Sequence, residues 1–222
     1  MNAYKSTGLL ALAMLFAPCA TIEAQDTTFV ANGNPLIRYK YTADPGALVD
    51  RDGTMYIYAG HDICPPPHNY YKIDDWLVFS SKDLQTWTEH KVPLRATDFS
   101  WATGEAWASQ VIRKGGSYYW YVTVEHKAED EKGGKAIGVA VSDSPTGPFR
   151  DARGSALVTN NMTTQYTSIG WDDIDPTIWI DKDGAAYLIW GNTQCYIAKL
   201  KDNMTELDGD IKTIRIDGIN TP

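Results

Sequence analysis

Asp44-Pro45-Gly46-Ala47-Leu48-Val49-Asp50-Arg51-Asp52-Gly53-Thr54-Met55-Tyr56 returns without a gap as Asp175-Pro176-Thr177-Ile178-Trp179-Ile180-Asp181-Lys182-Asp183-Gly184-Ala185-Ala186-Tyr187, 131 residues later. A chain that writes one line twice is built from repeats. Each copy reads as a short apolar strand, an Asp-Gly turn and a second strand (Met55 to Ala59, Ala186 to Trp190), the sequence signal of a β-hairpin. A weaker middle copy, Ala108 to Ile112, Lys114-Gly115-Gly116 and Tyr118 to Val124, sets its turn glycine 63 residues after Gly53 and 68 before Gly184. The repeat unit is therefore roughly 65 residues long.

Two further strands complete each unit: Trp76 to Ser81 and Thr86 to Glu89 in the first, Ala136 to Ser142 and Pro148 to Arg150 in the second, Cys195 to Leu200 and Ile211 to Ile216 in the third. Four short antiparallel strands at a fixed period predict an all-β fold of the β-propeller type. The unit is long for a WD or kelch blade, and neither signature occurs. Helical periodicity is absent after residue 30, which argues against a helical solenoid. The expected blades run from about 37 to 98, 99 to 165 and 166 to 222, with 25–36 as an N-terminal segment.

The formal charge of −8 and pI near 4.9 come without a basic stripe, which excludes nucleic acid and anionic membranes as expected partners. Aromatics reach 12%, with eight Trp and thirteen Tyr, more than a core of this size requires, so some should face a ligand. Lys5, the apolar run Leu9 to Ala17 and the small-residue region ending at Ala24 have the layout of a secretory signal peptide, with cleavage expected after Ala24. Pro18 sits where a lipoprotein signal around Cys19 would need a small residue, and the run is too short to span a bilayer. The mature protein is then exported, to the periplasm or the extracellular space. Asn161-Met162-Thr163 and Asn203-Met204-Thr205 match glycosylation acceptors but carry little weight in a bacterial-looking export context. Cys64 and Cys195 are also 131 residues apart, so they fall at equivalent places in blades one and three, beyond the ~7 Å reach of a disulfide; both are expected as free thiols.

In a propeller the first strand of each blade lines the central channel, and the hairpin returns the chain to the face where that strand began. Residues just before strand one and just after strand two thus share one rim. There the repeat places Asp44 and Asp175 at strand starts, His61, Asp62, Glu125, His126, Asn192 and Thr193 at strand ends, and Trp101, Trp107 and Trp171 on the entries between blades. Carboxylates, imidazoles and indoles around one opening describe a sugar site, since indole faces stack on sugar rings while carboxylates bind hydroxyls or do acid–base work. Each has a plainer reading. Asp-Pro is a common turn at a strand entry, and Asp50, Asp52, Asp181 and Asp183 read as hairpin-turn residues. Trp76, Trp120, Trp179 and Trp190 fall within strands and read as packing between blades. Glu105 and Glu125 read as an acid, a hydrogen-bonding rim residue or a solvated one. His61 and His126 have no further ligand at tight spacing, so no metal site is expected.

Ala43-Asp44-Pro45-Gly46, Tyr56-Ile57-Tyr58, Gly60-His61-Asp62, Ser81-Lys82-Asp83-Leu84 with Trp87, Trp107-Ala108-Ser109-Gln110-Val111 and Asp173-Ile174-Asp175-Pro176 together resemble the successive motifs of glycoside hydrolase family 43. These are five-bladed propeller enzymes that attack arabinose- and xylose-containing polysaccharides. The match runs from about Asn34 to Asp217, with one departure, Ser109-Gln110 where many members carry Pro-Asp. The resemblance implies an inverting hydrolase of the α-L-arabinofuranosidase or β-xylosidase type. It implies Asp44 as general base, Asp175 as the carboxylate that raises the acid's pKa and orients it, and a Glu at the opening of a fourth blade as general acid. Of the rim residues that the repeat places, His61, Asp62, Trp101, Trp107, Glu125, Trp171 and Asn192 are expected around the sugar; no cofactor is expected, and calcium in the channel is left open.

No Glu occurs after Glu206, and five blades of about 65 residues need roughly 325, so the chain reads as the first three blades of such an enzyme, ending before its acid. A noncatalytic carbohydrate-binding propeller is the competing expectation, and a structural surface propeller that binds no sugar is the third.

Overall fold

In the computed structural model the described residues are 26–63, 67, 70–127 and 134–215. The signal segment, Cys64 and the chain from Ile216 onward lie outside them. The architecture is three antiparallel sheets side by side. The first holds β1 (Thr27–Val30), β2 (Tyr41–Val49), β3 (Met55–Asp62), β4 (Ile73–Ser81), β5 (Thr86–Glu89) and the short β6 (Leu94–Arg95). The second holds β7 (Ala102–Gly104), β8 (Ser109–Lys114), β9 (Ser117–His126), β10 (Lys135–Ser142), β11 (Arg150–Asp151) and β12 (Val158–Thr159), and the third β13 (Thr177–Ile180), β14 (Ala186–Trp190), β15 (Cys195–Leu200) and β16 (Lys212–Ile214).

The duplicated line forms the same hairpin twice. Leu48 faces Tyr56 as Trp179 faces Tyr187. Asp50 and Asp181 open the turns by donating their amides to Thr54 O and Ala185 O, at 2.9 and 2.8 Å. Gly53 and Gly184 take φ of 82° and 87°, a region costly for a side chain, while Asp52 and Asp183 accept from the amides of Thr54 and Ala185 at 3.0 and 2.9 Å. Those aspartates are turn residues, and Asp50 is more than one: it also accepts from Arg113 Nη1 at 3.0 Å and from the Tyr118 hydroxyl, tying blade one to blade two.

First strands lie against each other along the channel. A side chain at Gly46 would meet Ser109 O at 2.9 Å, and Gln110 Oε1 accepts from Ile178 N at 2.6 Å, bridging β8 to β13. Alternation along each strand then sends one face of every sheet into a core between blades. Tyr58, Trp76, Val78, Val111 and Trp120 fill the first interface; Tyr121, Ile137, Leu188, Trp190 and Tyr196 fill the second. Trp76, Trp120 and Trp190 are buried as expected. Trp179 is not: it is 51% exposed, stacked with Tyr187 on the face of blade three opposite Ile178.

Two local features differ from the expectation. Asp44 does not start its strand; β2 already pairs from Tyr41, and a bulge falls between Ala43 and Gly46. The 25–36 segment does not stand apart from blade one. Its Thr27–Val30 pairs with Thr86–Glu89, and Phe29, Leu36 and Ile37 pack on Leu77, Phe79 and Trp87, covering the face of blade one turned away from blade two.

Candidate active site

Both repeated aspartates hold left-handed backbone, φ 49° at Asp44 and 57° at Asp175. A residue before proline is ordinarily driven to extended conformations, so each is held against its local preference, at about 1–3 kcal/mol. The surroundings explain the persistence. At Asp44 the bulge is pinned between the Ala43–Gly60 and Gly46–Tyr58 pairs and the close approach of Gly46 to blade two. At Asp175 the amide donates to Thr123 Oγ1 at 3.2 Å, and three residues on Ile178 N donates to Gln110. Blade two therefore grips both ends of the segment that starts blade three.

A second brace lies behind Asp175. Asp172 and Asp173 are fully buried. Asp172 accepts from Thr193 N and Oγ1, both at 2.7 Å, and from the Tyr196 hydroxyl at 2.6 Å; Asp173 accepts from Trp190 Nε1 at 2.8 Å and Thr163 Oγ1 at 2.7 Å. Burial foremost, then the neighbouring Asp172 charge, raises Asp173 to about 6 against the opposing hydrogen bonds. This network fixes the loop that carries Trp171 on one side and Asp175 on the other.

The two aspartates share a cavity of about 260 Å³ with Tyr70, Trp107, Ala108, Lys135, Trp171, Ile174 and Asn192. It adjoins the channel proper, about 350 Å³, walled by the first-strand residues Asp44–Ala47, Ala108–Gln110 and Asp175–Thr177. Enclosure by protein, and next the Asp44 charge, raises the proton affinity of Asp175. One wall is aromatic: Trp171, half exposed, and Trp107, flanked edge-on by Tyr70 and Tyr71 at 6.4 Å. Trp107 is held in turn. Its Nε1 donates to Glu105 Oε2 at 2.9 Å, and Lys135 Nζ sits 4.6 Å from its ring centre while donating to Glu105 and, at 2.7 Å, to Glu125. Burial works to raise the Glu105 carboxyl, but the Lys135 and Trp107 hydrogen bonds and the Lys135 charge hold it below its ordinary range.

Of the residues singled out in the sequence, Asp44, Asp175, Trp107, Trp171 and Asn192 thus line one cavity. Glu125 stands behind Lys135. His61, Asp62 and Trp101 are not among the lining residues. His61 Nδ1 lies 3.0 Å from Asp75 Oδ1, and Trp101 turns inward, its Nε1 donating to Asp151 Oδ2 at 2.9 Å and its ring lying on Phe99 and on Gly138, whose missing side chain makes the room. Tyr70, Lys135, Thr123 and the Asp172–Asp173 brace carried no repeat signal. Among the described residues no three His, Cys, Asp or Glu side chains are grouped to hold a metal ion.

Residues 32–221 match the sequence profile described as glycosyl hydrolases family 43. The chain belongs to that family. Among its relatives, the family 43 chain is 37% identical to xylosidase/arabinosidase 43A of Humicola insolens over 73% of its own length and 48% of that protein's. It is 30% identical to an arabinoxylan arabinofuranohydrolase of Paenibacillus polymyxa, over 82% of this chain and 30% of that one. The crystal structure of a GH43 β-xylosidase/α-arabinofuranosidase from a compost microbial metagenome, in complex with xylotriose, superposes with a TM-score of 0.69 at 28% identity, covering 85% of this chain and 63% of that one. An α-L-arabinofuranosidase from Clostridium thermocellum does so with a TM-score of 0.66 at 33% identity, covering 80% and 57%. The family 43 chain spans about half the length of the curated relatives it matches.

Proposed function

We propose that this family 43 chain carries the base-bearing wall of an exported, inverting glycoside hydrolase acting on arabinose- and xylose-containing glycans. The observation that carries the reading is the pair of left-handed aspartates, Asp44 and Asp175, on one cavity with two indoles. Asp44 is the general base that takes a proton from the attacking water as its oxygen bonds to the anomeric carbon. Asp175 acts by its charge: a carboxylate beside a carboxylic acid raises that acid's pKa and keeps it protonated for the leaving oxygen. The donor on this reading is a third carboxyl, 6.5–9.5 Å from the base, roughly the gap an inverting enzyme leaves for water. Glu105 is unsuited to that part, being held as an anion by Lys135. Trp171 and Trp107 supply the stacking faces.

A carbohydrate-binding propeller without hydrolysis is the second reading: among the described residues, none of those that line the two cavities around the aspartates is a glutamate. Two measurements on the purified protein separate the readings. Tryptophan fluorescence titrated with xylotriose and with an arabinose trisaccharide is expected to respond saturably, and less so in Trp171→Ala; absence of any response overturns sugar recognition. Proton NMR during hydrolysis of an aryl glycoside by an active form is expected to show the inverted anomer first. The retained anomer would remove Asp44 from the role of base, and binding with no turnover in any form supports the lectin.

A further inference from the structure

Blade one carries a second constellation, remote from Asp44 and Asp175 and sharing no wall residue with their cavities. Ser80 on β4 points its Oγ at His90 Nε2, 2.7 Å away. The other ring nitrogen, Nδ1, lies 3.1 Å from Asp26 Oδ2, and Asp26 is itself steadied by Lys91 N, which donates to its Oδ1 at 3.2 Å. Three neighbouring strands bring these groups together. Ser80 pairs with Thr88 across β4 and β5, His90 follows two residues later with its amide bonded to Val78 O, and the Thr27–Glu89 pair between β1 and β5 sets Asp26 opposite His90.

The order of the bonds decides what the cluster can do. In the tautomer of neutral His90 that carries its proton on Nδ1, that nitrogen donates to Asp26 Oδ2. Nε2 then carries the lone pair, and the Ser80 hydroxyl is the donor across the 2.7 Å contact. That is the arrangement of a nucleophile, a general base and a group that orients the base. The histidine side chain is 17% exposed. Ser80 borders a cavity of about 520 Å³ walled also by Thr54, Tyr56, Lys82, Thr86 and Thr88, which is room for a small acyl donor.

We propose that Ser80, His90 and Asp26 form an acyl-transfer site that takes short-chain carboxylic esters. Ser80 Oγ bonds to the ester carbonyl carbon as its proton passes to His90 Nε2; the carbon–alkoxy bond breaks, and the alcohol leaves with that proton. Water then attacks the acyl-serine by the same route, releasing the acid and restoring the hydroxyl. Ser80 is paired in register with Tyr56 on one side and Thr88 on the other, so its backbone amide belongs to the sheet and is not free to stabilise the oxyanion. The site is accordingly a slow one, drawing on the ~10²–10⁴-fold that a positioned base contributes.

The test uses a fluorophosphonate probe and p-nitrophenyl acetate on the intact protein. In the probe reaction a phosphorus–oxygen bond to serine replaces phosphorus–fluorine. Mass spectrometry is expected to find one phosphonyl group on the peptide containing Ser80, none there in Ser80→Ala, and at least tenfold slower labelling in His90→Gln and Asp26→Asn. Ester hydrolysis above background is expected to fall in parallel. A purely structural contact lowers the melting temperature of the His90 and Asp26 variants but leaves Ser80 unlabelled in the wild type, which overturns the proposal. Labelling of Ser80 at a rate indifferent to both variants overturns it equally. Should His90→Gln fail to fold, wild type against the near-isosteric Ser80→Ala decides: equal ester hydrolysis by the two refutes the site.

Discussion

Replacing Asp173 with asparagine removes a charge that the fold has enclosed completely, and the effect on stability has a definite sign and pH range. The carboxyl ordinarily titrates at 3.8, and in the folded protein at about 6. Below about pH 3.8 it is protonated whether or not the chain is folded. Between 3.8 and 6 the folded state keeps a proton that the unfolded state has released, so its contribution to stability drains away as pH rises and is gone above about 6. At 1.36 kcal/mol per pKa unit, that gap amounts to about 3 kcal/mol. Asparagine has the same shape and loses none of it. Its Oδ1 still accepts from Trp190 Nε1, and its Nδ2 donates to Thr163 Oγ1, whose own proton can go to Asn160 O, already 3.2 Å away. Urea unfolding followed by tryptophan fluorescence, for both proteins at pH 4 and pH 7, gives the comparison. Relative to wild type, Asp173→Asn is expected to gain about 2 kcal/mol between those two pH values, because pH 4 already lies above 3.8, and to be the more stable protein at pH 7. A difference that stays flat, or that favours wild type more at pH 7, would refute the assignment of burial as the dominant cause.

Asp50→Asn is expected to show the opposite sign. Its pKa is lowered on balance: burial opposes, but the Tyr118, Arg51 and Arg113 interactions prevail, so its stabilisation is present at pH 7 and lost as pH falls through the carboxylate range; urea unfolding at pH 7 should show a loss of about 1–3 kcal/mol, shrinking toward pH 3. Trp101→Ala is expected to cost about 3 kcal/mol of stability and leave xylotriose affinity nearly unchanged, whereas Trp171→Ala does the reverse; calorimetry and fluorescence titration on both variants decide it. In an active form of the enzyme, Asp44→Asn is expected to slow hydrolysis of aryl arabinofuranosides and xylosides by about 10²–10⁴, the contribution of a positioned base; turnover that the substitution leaves intact would locate the chemistry elsewhere.

The hairpins, their turns and the shared register of Asp44 and Asp175 were legible in the bare sequence. The reason is that turn chemistry and strand alternation are written within a dozen residues: Asp-Gly closes the turn, and apolar residues at every second position declare the buried face. Thr86 to Glu89 and Cys195 to Leu200 were bounded to the residue for that reason. Which rim side chains meet in a cavity is a different kind of fact. Trp101 and Trp171 occupy comparable entries between blades, yet one is drawn onto Gly138 and Asp151 while the other stays at the opening, a choice made by what packs beneath each indole. Tyr70 and Lys135 reach the site from loop and strand positions without a repeat partner. Asp172 and Asp173, beside Trp171, are enclosed only because Trp190, Tyr196 and Thr163 close over them. Asp26, Ser80 and His90 come together only because Thr27 to Val30 pairs with a strand some sixty residues away. Local residue order determined the strands and turns of this protein; partners distant in the chain, set by sheet register and packing between blades, decided which of its polar groups can act together.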